Sequence, residues 1–133
     1  MSLLSHYLHT AILIQDLARS EQFYGQVLEL PVAKRDLKFP GIWYQIGSIQ
    51  IHLIVSEHVI SDQVDERWGR NRHFAFAVLD LNQVKERLER YHYPIQMSAS
   101  GRLALFTQDP DGNIIELSQI ELSSVNPEEA PLQ

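Results

Sequence analysis

The chain has 133 residues, 44% hydrophobic and 21% charged, with a net charge of -6 and no cysteine. Those values describe a soluble globular protein and exclude disulfides, thiolate metal sites and cysteine nucleophiles; the negative balance argues against broad binding to a nucleic-acid backbone. The opening MSLLSHYLHTAILIQDL has no basic region followed by an apolar core and a cleavage site, and nothing approaches a transmembrane run. A cytoplasmic protein with no membrane or nucleic-acid partner is therefore expected.

In chain order, residues 6–15 read as a strand, with His9, Ala11, Leu13 and Gln15 on one side and Leu8, Thr10, Ile12 and Ile14 on the other. Asp16 can cap the helix that follows, where Leu17, Ser20, Phe23, Tyr24, Val27 and Leu28 form a stripe of helical period. Pro31 marks its boundary. Residues 32–36 are ambiguous between strand and loop, and residues 42–46 and 50–55 suggest a hairpin turned at Gly47 and Ser48. Residues 56–72 are polar and without a clean period, which suits a crossover anchored by Val59, Ile60 and Trp68.

A second unit begins at His73, whose strand sets His73, Ala75 and Ala77 opposite Phe74, Phe76 and Val78. Asp80 with Gln83 resembles a capping box, ahead of a stripe of Leu81, Val84, Leu88 and Tyr91. Pro94 closes the helical region, and strands are expected at 95–98, 103–107 and 114–120. The tail, residues 123–133, has two prolines and little to bury, so it is expected to fray. The expected organisation is one domain over residues 1–122, built from modules 6–55 and 73–120 with the linker 56–72 between them.

The chain is organised around DPDGNIIELSQI, residues 109–120, which places Glu116 among Ile114, Ile115 and Leu117. A carboxylate there is costly to bury without a cation. His9, His52 and His73 have similar surroundings, and 64 residues separate both His9 from His73 and His52 from Glu116. One strand-helix-strand-strand-strand unit written twice would do this. Neither copy can close a core alone, whereas two side by side can curve into a cup-shaped mixed sheet, an α+β fold. Equivalent positions then converge on the concave face. A single histidine in a strand is more often an ordinary hydrogen-bonded residue; the matched spacing is what favours His9, His52, His73 and Glu116 as metal ligands. Three imidazoles and a carboxylate suit one divalent ion per site, such as Zn, Ni, Co, Mn or Fe. His6, His58 and His92 fall outside the pattern.

The stretches HTAILIQDLARSEQFYGQVLEL, RHFAFAVLDL and DPDGNIIEL resemble the vicinal oxygen chelate superfamily, which includes glyoxalases, bleomycin-resistance proteins and extradiol dioxygenases, across residues 6–120. The resemblance implies paired βαβββ modules, a homodimer and, in some members, a site completed between subunits. It places metal ligands at His9, His73 and Glu116; the position of His52 is commonly Glu in glyoxalase I and Gln in methylmalonyl-CoA epimerase. It implies a metal-dependent isomerase or lyase resembling glyoxalase I, acting on a small substrate with vicinal oxygens, with Glu116 or His52 moving the proton. Arg72, Arg102 and Tyr44 are candidates for contacting substrate, and Trp43, Trp68 and Phe106 for lining its pocket. An arginine that glyoxalase I usually carries four residues after its first ligand is Leu13 here. Two alternatives stand beside this reading: a non-haem Fe(II) dioxygenase, with Tyr44 and His58 as the nearest acid-base candidates, and a non-catalytic binding or resistance protein.

Overall fold

The computed structural model describes residues 2–34, 38–58 and 63–121. The first unit runs β1 (His9–Ile14), α1 (Leu17–Glu21), a π-helical continuation (Gln22–Val27), β2 (Gly41–Ile46) and β3 (Ile49–Val55). After a 3-10 turn at Trp68–Arg70 the second unit runs β4 (His73–Val78), α2 (Leu81–Arg90), β5 (Ile95–Met97), β6 (Ala104–Gln108) and β7 (Ile114–Gln119). They form two mixed sheets, ordered β1-β3-β2 and β4-β7-β6-β5, with β1 parallel to β3 and β4 parallel to β7. This is the expected α+β architecture of repeated units, with β1 and β4 at equivalent sheet edges.

The caps act where the sequence places them. Asp16 accepts a hydrogen bond from the Arg19 amide at 2.9 Å, and Asp80 accepts one from the Gln83 amide at 3.2 Å. Both satisfy an orphan donor of a first helical turn. The first helix then widens, with the Leu28 amide donating to the Phe23 carbonyl at 3.0 Å. That five-residue step is π-helical and keeps Ser20, Phe23, Tyr24 and Val27 all turned inward. Phe23, Tyr24 and Val27 join Ile12, Ile14, Ile51, Leu53, Leu88, Leu105, Ile115 and Leu117 in one core fed by both units.

The DPDGN turn ties the units together. Asp109 Oδ1 accepts from the amides of Asp111 and Asn113 at 2.9 and 2.8 Å, closing the turn, and Gly112 takes φ 85°. Asp109 Oδ2 receives the Tyr24 hydroxyl at 2.7 Å, from the first unit's helix. The Gln15 amide donates to Asp111 Oδ1 at 3.1 Å, and Asn113 Nδ2 donates to the Leu13 carbonyl at 3.3 Å. From α2, Arg87 Nε donates to the Val27 carbonyl at 2.8 Å, meeting an acceptor left open at the helix end.

Some local expectations differ. Among the described residues of 32–36, Val32 forms an isolated bridge to Tyr44; residues 35–37 lie outside the described residues. Tyr91 is 38% exposed rather than buried, because α2 ends at Arg90; its ring lies 5.8 Å from the Arg87 guanidinium carbon. The end of the linker is organised by one buried side chain. Asn71 Oδ1 accepts from the amides of Val64 and Asp65, and its Nδ2 donates to the carbonyls of Asp65, Arg67 and Trp68. A side chain gathering five backbone groups leaves no periodic trace. Val59, Ile60 and the tail 123–133 lie outside the described residues. No helix among the described residues is long and apolar enough to cross a membrane.

Candidate metal centre

Strand pairing decides which side chains can meet. Ala11 and Trp43 are the Cα partners of His52, and Gln50 is the partner of His9. His9, Trp43, Gln50 and His52 therefore share the sheet face opposite Ile12, Ile14, Tyr44, Ile51 and Leu53. The His52 ring is stacked between two others: Trp43 at 3.4 Å and 8°, and His9 at 4.1 Å and 17°. His52 is buried, and its Nε2 lies 2.8 Å from Gln50 Oε1. Gln50 Nε2 donates to Gln45 Oε1 at 2.8 Å, and Gln45 Nε2 donates to the carbonyls of Gly47 and Ile49 at 2.8 and 3.2 Å.

The second unit repeats the arrangement with a carboxylate. Glu116 has Ala75 on one side and Phe106 on the other, as His52 has Ala11 and Trp43. His73 Nε2 is 3.6 Å from Glu116 Oε1, and Arg102 Nη2 is 3.5 Å from the same oxygen. Ser118 Oγ donates to Glu116 Oε2 at 2.8 Å. On its other side, His73 Nδ1 donates to the Asn71 carbonyl at 2.7 Å. A carbonyl can only accept, so the proton of neutral His73 is on Nδ1 and its lone pair faces Glu116. Phe106 meets the His73 ring edge-on at 5.5 Å. Gly69 is needed beside it, since a Cβ there would fall 2.6 Å from Phe106 Cζ.

Two donors about 2.0–2.2 Å from a tetrahedral ion lie roughly 3.4 Å apart, so the His73–Glu116 spacing suits one cation. The carbonyl behind His73 is the usual outer support of a metal-bound imidazole. The first pair is arranged differently. A coordinated ion lies in the plane of the imidazole ring, and two nearly parallel rings cannot both meet that condition. His9, which is exposed, has to turn before it and His52 can share an ion.

Among the described residues no three His, Asp or Glu side chains gather around one point. The four residues singled out by spacing thus occur in one chain as two pairs, one on each sheet. A groove of about 530 Å³ runs beside the edge strands, lined by Thr10, Leu13, His58, Arg72, His73 and Asn113, among others. Arg102 sits on the Glu116 carboxylate. Tyr44 lies elsewhere: it is fully buried on the core face, and burial pushes its hydroxyl up to about 12. Trp43, its neighbour in β2, faces the histidines instead. The Tyr44 hydroxyl has no hydrogen-bond partner among the described residues. Tyr44→Phe is accordingly expected to raise stability by about 1 kcal/mol in denaturant titrations and to leave metal affinity unchanged.

The supporting residues Gln50, Asn71 and Ser118 were not singled out by sequence. Each is two positions from a candidate ligand, at His52, His73 and Glu116. Strand alternation was the signal that could have found Gln50 and Ser118; Asn71 precedes β4 and supports His73 through its backbone carbonyl, which side-chain alternation does not mark.

A family model described as Glyoxalase/Bleomycin resistance protein/Dioxygenase superfamily matches residues 6–117. No curated protein matches the chain. Among solved structures, a glyoxalase family protein from Bacillus anthracis is 19% identical with a TM-score of 0.74, covering 91% of this chain and 99% of that one. Lactoylglutathione lyase from Agrobacterium tumefaciens is 20% identical with a TM-score of 0.65, covering 93% and 100%. The fosfomycin resistance protein FosX from Listeria monocytogenes is 15% identical with a TM-score of 0.71, covering 91% and 98%. At these identities the likeness is one of fold. With the family model spanning both units and both candidate pairs, the chain belongs to the glyoxalase/bleomycin resistance protein/dioxygenase superfamily.

Proposed function

We propose that this protein is a divalent-metal-dependent isomerase or lyase resembling glyoxalase I, acting as a homodimer on a small substrate with vicinal oxygens. The carrying observation is the pairing of His73 Nε2 with Glu116 Oε1 at 3.6 Å, matched by His9 and His52 at the equivalent places of the other unit. In this reading each centre takes His9 and His52 from one copy and His73 and Glu116 from a second. The two edge strands, β1 and β4, are the surfaces through which copies bring the pairs together.

The bound ion would supply Lewis-acid stabilisation of charge developing on neighbouring substrate oxygens. The chain's residues supply the rest. Glu116 has Arg102 at Oε1 and Ser118 at Oε2, and as a carboxylate it can serve as ligand or accept a proton from a substrate carbon at Oε1. His52 offers the alternative base. Arg102, at the carboxylate, and Arg72, in the groove, are placed to hold an anionic group of the substrate. Trp43 stacks on His52 and Phe106 meets His73 edge-on, so each packs against one ring of a donor pair.

The test is a metal assay on the dimer beside a small substrate panel that includes a hemithioacetal, repeated on His73→Ala. The variant is expected to lose metal affinity by more than about 100-fold, since even loss of an outer-shell partner costs 10–100-fold. Equal metal binding by parent and variant would overturn the assignment. A second reading, an Fe(II) dioxygenase, rests on the same donor types, two histidines and a carboxylate. Iron content together with oxygen uptake on a catechol would favour it.

A further inference from the structure

We infer that Gln45 and Gln50 are positioning residues that fix the tautomer of His52, with its proton on Nε2, whereas His73 carries its proton on Nδ1. The inference rests on the proposed metal centre for its purpose and on hydrogen-bond chemistry for its content. It starts from two backbone carbonyls. Those of Gly47 and Ile49 can only accept, and both lie within hydrogen-bond distance of one end of the Gln45 amide, at 2.8 and 3.2 Å. That end must be the NH2 group, which turns Gln45 Oε1 toward Gln50. The facing atom of Gln50, 2.8 Å away, must then be its own NH2 group. Gln50 Oε1 is left facing His52 Nε2 at 2.8 Å, and this oxygen too can only accept. His52 Nε2 therefore carries the proton, and in the neutral ring the lone pair is on Nδ1.

The order of control is backbone turn, Gln45, Gln50, His52. It uses the hairpin's own geometry, because Gln45 and Gln50 are Cα partners across β2 and β3, and Gly47, at φ 55°, lies in the turn between them. The stack between Trp43 and His9 holds the ring plane, while the glutamines decide which nitrogen is protonated. The second unit has Ile114 at the place equivalent to Gln50, and there the Asn71 carbonyl fixes His73 in the opposite sense, with its proton on Nδ1. The two units thus carry histidines locked in opposite tautomers. An amide carbonyl accepting the remote N–H is also what makes an imidazole a better ligand.

Long-range proton–nitrogen correlation spectra of the metal-free protein at a pH where His52 is neutral test this directly. The parent is expected to show a single His52 tautomer protonated on Nε2, and His73 protonated on Nδ1. Gln50→Leu should give a mixture at His52, and Gln50→Glu, which restores an acceptor, should return the Nε2-protonated form. Gln45→Leu should also give a mixture although Gln50 is intact, a result that simple packing at Gln45 would not produce. Circular dichroism checks that each variant is folded. In metal titrations Gln50→Leu should bind about 10–100-fold more weakly than the parent. A parent His52 protonated on Nδ1, or a tautomer unmoved by Gln50→Leu, would overturn the lock. If the tautomer is locked as described but the parent dimer takes up no divalent ion, the metal centre falls and the lock stands. If metal binds and the parent His52 is a mixture, the lock alone falls.

Discussion

Mixing His9→Ala protein with His73→Ala protein, each expected to bind metal weakly by itself, is expected to recover about a quarter of the parent's metal sites after subunit exchange. In a two-fold dimer with shared centres, a mixed pair has one site missing both histidines and one site with all four ligands. Random exchange makes about half of the dimers mixed, and each of these carries one intact site of two. Metal content of the exchanged sample, measured after removal of loosely bound ion, reads the result. The expectation follows from the separation of the donors in one chain: His9 stacks on His52, His73 meets Glu116, and no group of three forms among the described residues. A centre built within each chain predicts no recovery, because every chain in the mixture lacks a ligand. Recovery near zero with a stable dimer would thus remove the shared-site arrangement.

The second large effect concerns the seam between the units. Asp109→Ala is expected to destabilise the protein by about 3–5 kcal/mol, a large part of the 5–15 kcal/mol typical of a whole domain. The substitution leaves the buried Tyr24 hydroxyl, the Asn113 side-chain amide and two turn amides without their acceptor. It also removes the residue that shapes the turn feeding β7, so Glu116 should lose its register with His73. Burial raises the Asp109 carboxyl above the usual aspartate range, although the hydrogen bonds from Tyr24 and Asn113 oppose this. A folded-state value above the unfolded one means that the native protein binds more protons in between. That contribution to stability is full at pH below the unfolded value and is lost as pH rises through the folded one. Asp109→Asn should therefore flatten the pH dependence of unfolding in this mildly acidic window. Denaturant midpoints measured across it for parent and variant check the sign; an equally steep dependence in the variant would assign it to another group.

Much of the fold was readable because its signals are local. Alternation in HTAILI and HFAFAV separates His9 and His73 from the apolar side of each strand, and the structure buries Ile12 and Ile14 while leaving both histidines exposed. Asp16 and Asp80 cap the helices they precede, because an N-cap needs only its own next turn. The exchange of roles in β2 was not readable in the same way. Trp43 and Tyr44 are adjacent aromatics, and alternation says only that they point to opposite faces. The pairing of β2 with β3 decides that Trp43 meets His52 and Tyr44 enters the core. The linker carried no period because Asn71, rather than a repeating backbone, organises its end.

By itself the sequence determined which residues share a face, which ends are capped and which four side chains occupy equivalent places in two copies. These follow from the two-residue period of a strand and from a duplication written along the chain. The tertiary structure decided that the four stand as two pairs on separate sheets, that Arg102 joins the Glu116 carboxylate, and that Gln50 meets one ring nitrogen of His52 while the Asn71 carbonyl meets one of His73. Those outcomes depend on strands and turns far apart in the chain coming together, and no local pattern records the distance between two atoms that only folding makes neighbours.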